Sequence, residues 1–217
     1  MKPRNATSVV VSVFGGLAAL AGMEHGVGEA LQGSVAPAGL VFPSWPDAAF
    51  FRSVTGEPAM SVVPNLLASG ILSILVSLVF LVWAVAFPHR KGCGPVLLLL
   101  CVVLLLVGGG FGPPLLGTVV GIAALKVRSP LNGWRQRVPE GLRRALGSLW
   151  PWMLAAGIAA WLLLMPGAML LDAGALVPAF ILAAFTTLAL AIVTGLARDS
   201  LRPQAGSWGR EVRAARR

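Results

Sequence analysis

Charge is what this sequence has least of. Only 12% of its 217 residues are Asp, Glu, Lys or Arg, and the mean hydropathy is +0.83. That leaves too little polar surface to solvate a globule, which excludes a soluble fold. Several uncharged stretches approach or exceed the ~18 residues that mark a membrane-crossing helix. Cysteine is almost as scarce: Cys93 and Cys101 are the two. Two are too few for a disulfide framework, and at that separation on one helix they are too far apart to bond. Motifs that carry chemistry are missing as well. The chain has no HExxH, no CxxC pair and no Walker-type phosphate loop. Its Ser and Thr residues have no His or Asp placed to activate them.

What the sequence does have is long apolar runs bounded by basic residues. The formal charge of +9 comes from 17 Lys and Arg residues. They flank the apolar runs, where they meet anionic headgroups at the inner face of a bilayer. Nucleic acid is not expected as a partner, because no binding module accompanies the charge. The pattern predicts an all-α, polytopic membrane bundle forming one domain over 1–197. About six crossing segments are expected, over 6–31, 61–87, 92–108, 111–126, 150–171 and 175–197. An outer loop covers 33–60, an inner loop 127–149 and a basic cytoplasmic tail 198–217.

The first segment has two readings. A basic start, an apolar run and the small-x-small site at 19–21 fit a signal peptide that would remove residues 1–21. Ala18, Gly22, Gly26 and Ala30 recur at four-residue spacing and cross that point, which favours a retained helix with a close packing face. In the outer loop, Pro37, Pro43, Pro46 and Pro58 exclude a long helix. Phe42, Trp45, Phe50 and Phe51 are apolar enough to lie at the interface or cap the bundle. Glu57 followed by Pro58 reads as the start of the second span.

The uncharged run 92–125 decides the topology. A single crossing would put Lys126 and every later arginine up to Arg144 outside, together with the six arginines after Ala197. A reversal at GGGFGPP, residues 108–114, leaves 16 of the 17 Lys and Arg residues cytoplasmic, with Arg52 the exception. The positive-inside bias selects the reversal. Gly108, Gly109 and Gly110 permit the turn and Pro113 and Pro114 interrupt the helix. The arms are short, so they are either two thin spans or a re-entrant hairpin. Gly117 and Gly121 form a GxxxG packing motif. In the inner loop, Leu142, Ala145, Leu146 and Leu149 share one face, as in a short interfacial helix. Pro151 then opens the next span, Pro166 kinks it, and Asp172, Ala173 and Gly174 form an outer turn.

Most ionisable residues stand at span ends. The exceptions are Glu24, His25, Glu29 and Glu57, all on the outer side, with Asp47 in the loop between. His25 and Glu29 are four apart on one helical face, beside the small-residue stripe. An ionisable group near membrane depth is expensive without a partner or a function. Four readings stay open: an interfacial hydrogen-bonded cluster, a proton relay through His25, the mouth of a cation path, and a metal site. For the metal, His25 and Glu29 would supply two ligands and Glu57 or Glu24 the third. No cofactor is otherwise expected.

Three blocks, EHGVGEALQG, PSWPDAAFFRSVTGEPAMSVVPNLLASGIL and LLVGGGFGPPLLGTVVGIAA, resemble a group of uncharacterised bacterial multi-span integral membrane proteins. The likeness covers roughly residues 22–125. It implies a bacterial cytoplasmic membrane and, since the group has no established activity, transfers no site residue. The first functional expectation is a small-solute or ion/proton carrier, or a subunit of one. The second is a non-catalytic subunit that packs through its small-residue faces against a membrane partner or a copy of itself. The third is a metal-dependent membrane enzyme with an outer-face His/Glu site.

Overall fold

The computed structural model describes residues 4–47, 56–164 and 176–202. Within them the chain is helical, with one two-stranded ribbon. The elements are α1 (Ala6–Leu31), β1 (Val41–Pro43), β2 (Pro58–Met60), α2 (Leu66–Ala86), α3 (Cys93–Leu106), α4 (Gly112–Ala124), α5 (Asn132–Arg137), α6 (Glu140–Leu162) and α7 (Val177–Ser200). Four of them, α1, α2, α6 and α7, are long and apolar enough to cross a membrane. Helices α3 and α4 are apolar but have 14 and 13 residues. At ~1.5 Å per residue each is roughly 20 Å long, well under a ~30 Å hydrocarbon core.

The chain does reverse at the glycines. Gly94 of α3 lies against Leu125, Cys101 against Gly117, and Leu98 against Gly121, so α3 and α4 run antiparallel. Gly108 and Gly110 have φ of 96° and 73°, a region closed to most side chains. Pro113 and Pro114 do not form the turn. They open α4, in a first turn where a missing N–H costs nothing.

The basic residues gather at the opposite end. The Arg4 guanidinium donates to the Val85 carbonyl at 3.0 Å, Arg128 to His89 at 3.4 Å, Arg135 to Arg202 at 2.6 Å and Arg202 to Arg4 at 3.2 Å. The start of α1 and the ends of α2, α4 and α7 therefore share one basic rim.

Helix α1 is the hub. Val10, Val11, Phe14, Ala18 and Ala19 pack with Phe80, Leu97, Leu116, Val120 and Leu188 from four other helices. A Cβ on Gly26 would stand 2.7 Å from the Gly70 carbonyl, and one on Gly22 would stand 2.5 Å from the Ser77 hydroxyl. Those contacts bring α1 and α2 to backbone distance. Ser73 donates to the Gly22 carbonyl at 3.0 Å and Ser12 to the Ala84 carbonyl at 3.1 Å across the same seam. Elsewhere large apolar side chains face outward, among them Leu75, Val82, Trp152 and Leu182. Lipid accepts such a surface and water does not.

Several boundaries differ from the sequence reading. Helix α2 begins at Leu66, because the Asn65 side chain accepts from the Ala68 N–H at 3.0 Å and so caps it. Glu57 and Pro58 belong to the ribbon instead. The expected inner loop 127–149 holds α5 and the first turns of α6, which runs unbroken through Pro151. A proline inside a helix is tolerated in lipid, where breaking the helix would strand more backbone groups. Helix α7 continues to Ser200 and so includes the start of the expected tail. Phe50, Phe51, Arg52, Pro166, Asp172, Ala173, Gly174 and the remainder of the tail lie outside the described residues.

Candidate functional site

The last two turns of α1 carry Glu24, His25 and Glu29 to the end of the bundle opposite the basic rim. The ribbon folds back over them. Phe42 pairs with Ala59 in antiparallel register. Beyond the strands the ladder continues, with the Ser44 N–H donating to Glu57 O at 3.0 Å and Trp45 N–H to Gly56 O at 2.9 Å. This pairing holds Gly56 and Glu57 at φ of 71° and 52°. Glu57 therefore occupies a left-handed conformation that costs a non-glycine residue roughly 1–2 kcal/mol.

Ser44 and Glu57 clasp the His25 ring from its two nitrogens. Nδ1 lies 2.9 Å from the Ser44 hydroxyl, and Nε2 lies 3.3 Å from Glu57 Oε2. Glu24 faces both the Glu57 carboxyl and the Trp45 indole. One donor atom from each of Glu24, His25 and Glu57 lies within 4.8 Å of the others. His25 is 5% exposed and Glu29 is fully buried. Burial pushes the Glu57 carboxyl above the usual carboxylate range, and the approach of Glu24 offsets part of that rise.

The turn of the α3–α4 hairpin makes the third wall. A Cβ on Gly110 would collide with the His25 ring, and one on Gly108 with the Glu29 carboxyl. The turn is tied down by Gly108 N–H donating to the Met60 carbonyl at 3.0 Å and Val62 N–H to Leu106 at 2.9 Å. Ser69 donates to the Val107 carbonyl at 2.9 Å and meets the Ser61 hydroxyl at 2.8 Å. It also faces Glu29, whose oxygens otherwise lack an ordinary hydrogen bond among the described residues.

The predicted residues thus fall into two groups. Glu24, His25 and Glu57 converge, while Glu29 sits one turn along α1 against the hairpin. The expected pairing of His25 with Glu29 is replaced by a Glu24–His25–Glu57 set. Asp47 is exposed and apart from both. Gly22 and Gly26 lie on the seam with α2, Ala18 is buried in the core cluster, and Gly117 and Gly121 lie on the seam with α3.

Sequence reasoning missed Ser44, and it missed that GGGFGPP is a wall of the site as well as a turn. It also passed over Ser69, Ser73 and Ser77, which are fully buried. Their four-residue spacing on an otherwise apolar helix was the available signal.

Among the described residues, no Lys or Arg comes within ion-pair distance of these four side chains. Carboxylate oxygens and an imidazole nitrogen are donor atoms that suit a proton, a divalent metal or another cation. Beside the cluster lies a cavity of about 300 Å³, reaching from His25 and Glu57 to Trp161 and Phe185. Compared with protein-family models, with curated proteins and with solved structures, the chain matches none of them.

Proposed function

We propose that the chain is an integral protein of a bacterial cytoplasmic membrane that receives a cation at its outer end, as a carrier or as a subunit of one. In this reading α3 and α4 are two thin crossings that bring the total to six. The basic rim, where α1 starts and α7 finishes, faces the cytoplasm and its anionic headgroups.

The observation that carries the reading is the convergence of Glu24, His25 and Glu57, with Glu29 a turn away and, among the described residues, no Lys or Arg within ion-pair distance. A purely structural cluster at that depth satisfies its polar groups internally, whereas buried carboxyl oxygens of Glu24, Glu29 and Glu57 lack an ordinary hydrogen bond among the described residues. The α6–α7 pair packs closely on itself and meets the other helices chiefly through α1.

Proteoliposomes loaded with a pH-sensitive dye, or with labelled inorganic or organic ammonium cations, test the reading. Flux above empty liposomes is expected. It should be lost in His25→Ala and Glu57→Gln variants that still elute as wild type. Flux unchanged by both substitutions, or no flux with any of these cations, overturns it. The same three donors also suit a divalent metal, with Ser44 orienting the imidazole in the manner of a supporting hydrogen bond. Stoichiometric metal in purified protein would select that form.

A further inference from the structure

The cavity beside the cluster discriminates among cations. We infer that the site takes an organic amine with an apolar body, its ammonium group at Glu57 and His25 and its body among α4, α6 and α7. This rests on the reading that the outer cluster receives a cation, and it names the class of that cation.

The cavity has polar groups at one end only. Its remaining walls include Phe111, Leu115, Trp161, Ile181 and Phe185. At about 300 Å³ it lies at the lower end of the range for small-molecule sites. It has room for about ten groups of the size of a water molecule, at ~30 Å³ each. A hydrated inorganic ion entering here would lose water to hydrocarbon walls that return no hydrogen bonds. An apolar body gains from the same walls.

The charge at the polar end then fixes the sign of the head. The polar groups lining the cavity are Glu57 and His25: an arriving ammonium gives the buried Glu57 carboxyl a partner that favours its ionised form, whereas an anion meets no Lys or Arg within ion-pair distance among the described residues. Trp161 and Phe185 meet edge to face with centroids 5.4 Å apart. Such rings give the apolar body a broad aromatic wall at the end away from the carboxyl. The way in is from the side. Leu115 and Ile181 at the rim are 59% and 43% exposed, so the cavity opens on the apolar flank where amphiphilic amines collect in a bilayer.

The test uses the full chain in phosphatidylcholine nanodiscs and labelled 4-phenylbutylamine as probe, with empty nanodiscs subtracted. The neutral 4-phenylbutanol and the anionic 4-phenylbutyrate serve as probes of matching shape. Saturable amine binding is expected, with both matching probes at least about tenfold weaker, in line with a charged contact. Glu57→Gln should weaken amine binding by a similar factor and leave the alcohol unchanged. Ile181→Trp keeps every acid and fills the cavity, so it should remove amine binding altogether. Alcohol bound as tightly as amine, amine binding untouched by Ile181→Trp, or no saturable binding each overturns the inference. Inorganic cation flux that needs His25 without any amine binding would sink the substrate class and leave the carrier reading standing. Amine binding without flux would do the reverse.

Discussion

Asp199 fastens the last helix to the first, and its removal should be felt by the whole bundle. The carboxylate accepts from the Ala6 N–H at 2.8 Å, the Thr7 N–H at 2.8 Å and the Thr7 hydroxyl at 2.7 Å. Those two amides belong to the first turn of α1, which has no internal partners for them. Asn5, the helix's own cap, is already engaged with the Ser8 N–H at 2.8 Å. Asp199→Ala would leave both amides unpaired in a site where Asp199 itself is 9% exposed. Loss of a cap costs ~1 kcal/mol and loss of a hydrogen bond to a charged group ~1.5–3 kcal/mol. The three bonds share one carboxylate and do not add, so about 3 kcal/mol is expected in total. For a chain of this size that corresponds to a fall of about 6–12 °C in melting temperature. A thiol-reactive fluorogenic dye reads the transition, because Cys93 and Cys101 are 2% and 3% exposed and react only once the fold opens. Asp199→Asn keeps one acceptor oxygen and should lose about half as much. An alanine variant melting within about 1 °C of wild type would refute the assignment.

Two further outcomes follow from the site. Gly110→Ala places a side chain at a φ of 73° and against the His25 ring. It should destabilise by at least ~1–2 kcal/mol and reduce cation flux in the same liposomes; a variant with wild-type melting and wild-type flux would show that the hairpin turn is not a wall of the site. Burial raises the Glu57 carboxyl above its ordinary 4.5, so the folded chain holds that proton more tightly than the unfolded one. The stability it contributes is fully present below 4.5 and is lost as pH rises through the raised folded value. The melting temperature of wild type minus that of Glu57→Gln should therefore fall with rising pH, and a difference that climbs instead contradicts the burial.

The sequence by itself determined what depends on local chemistry and on side-chain periodicity. Scarce charge and long apolar runs dictated helices for a bilayer, and the bounds of α1 were legible because no proline interrupts the chain from Ala6 to Leu31 and its small-residue stripe runs on past Glu24. The asymmetric placement of Lys and Arg was enough to require a reversal at Gly108–Gly110. Small residues at four-residue spacing marked the α1 face that α2 approaches, because only small side chains let two backbones come that close. Helix ends were less legible where two capping signals competed, as Glu57 and Asn65 did for α2.

Only the tertiary structure decided which groups meet across the chain. Nothing local in Ser44 or in the glycines of the hairpin shows that they close around His25. Nor does Asp199, read alone beside Arg198 and Arg202, show that it caps a helix 192 residues away. Those meetings are set by the crossing of α1 with α2 and by the register of the ribbon over its end. Both are products of packing among distant segments, and no stretch of the chain encodes them alone.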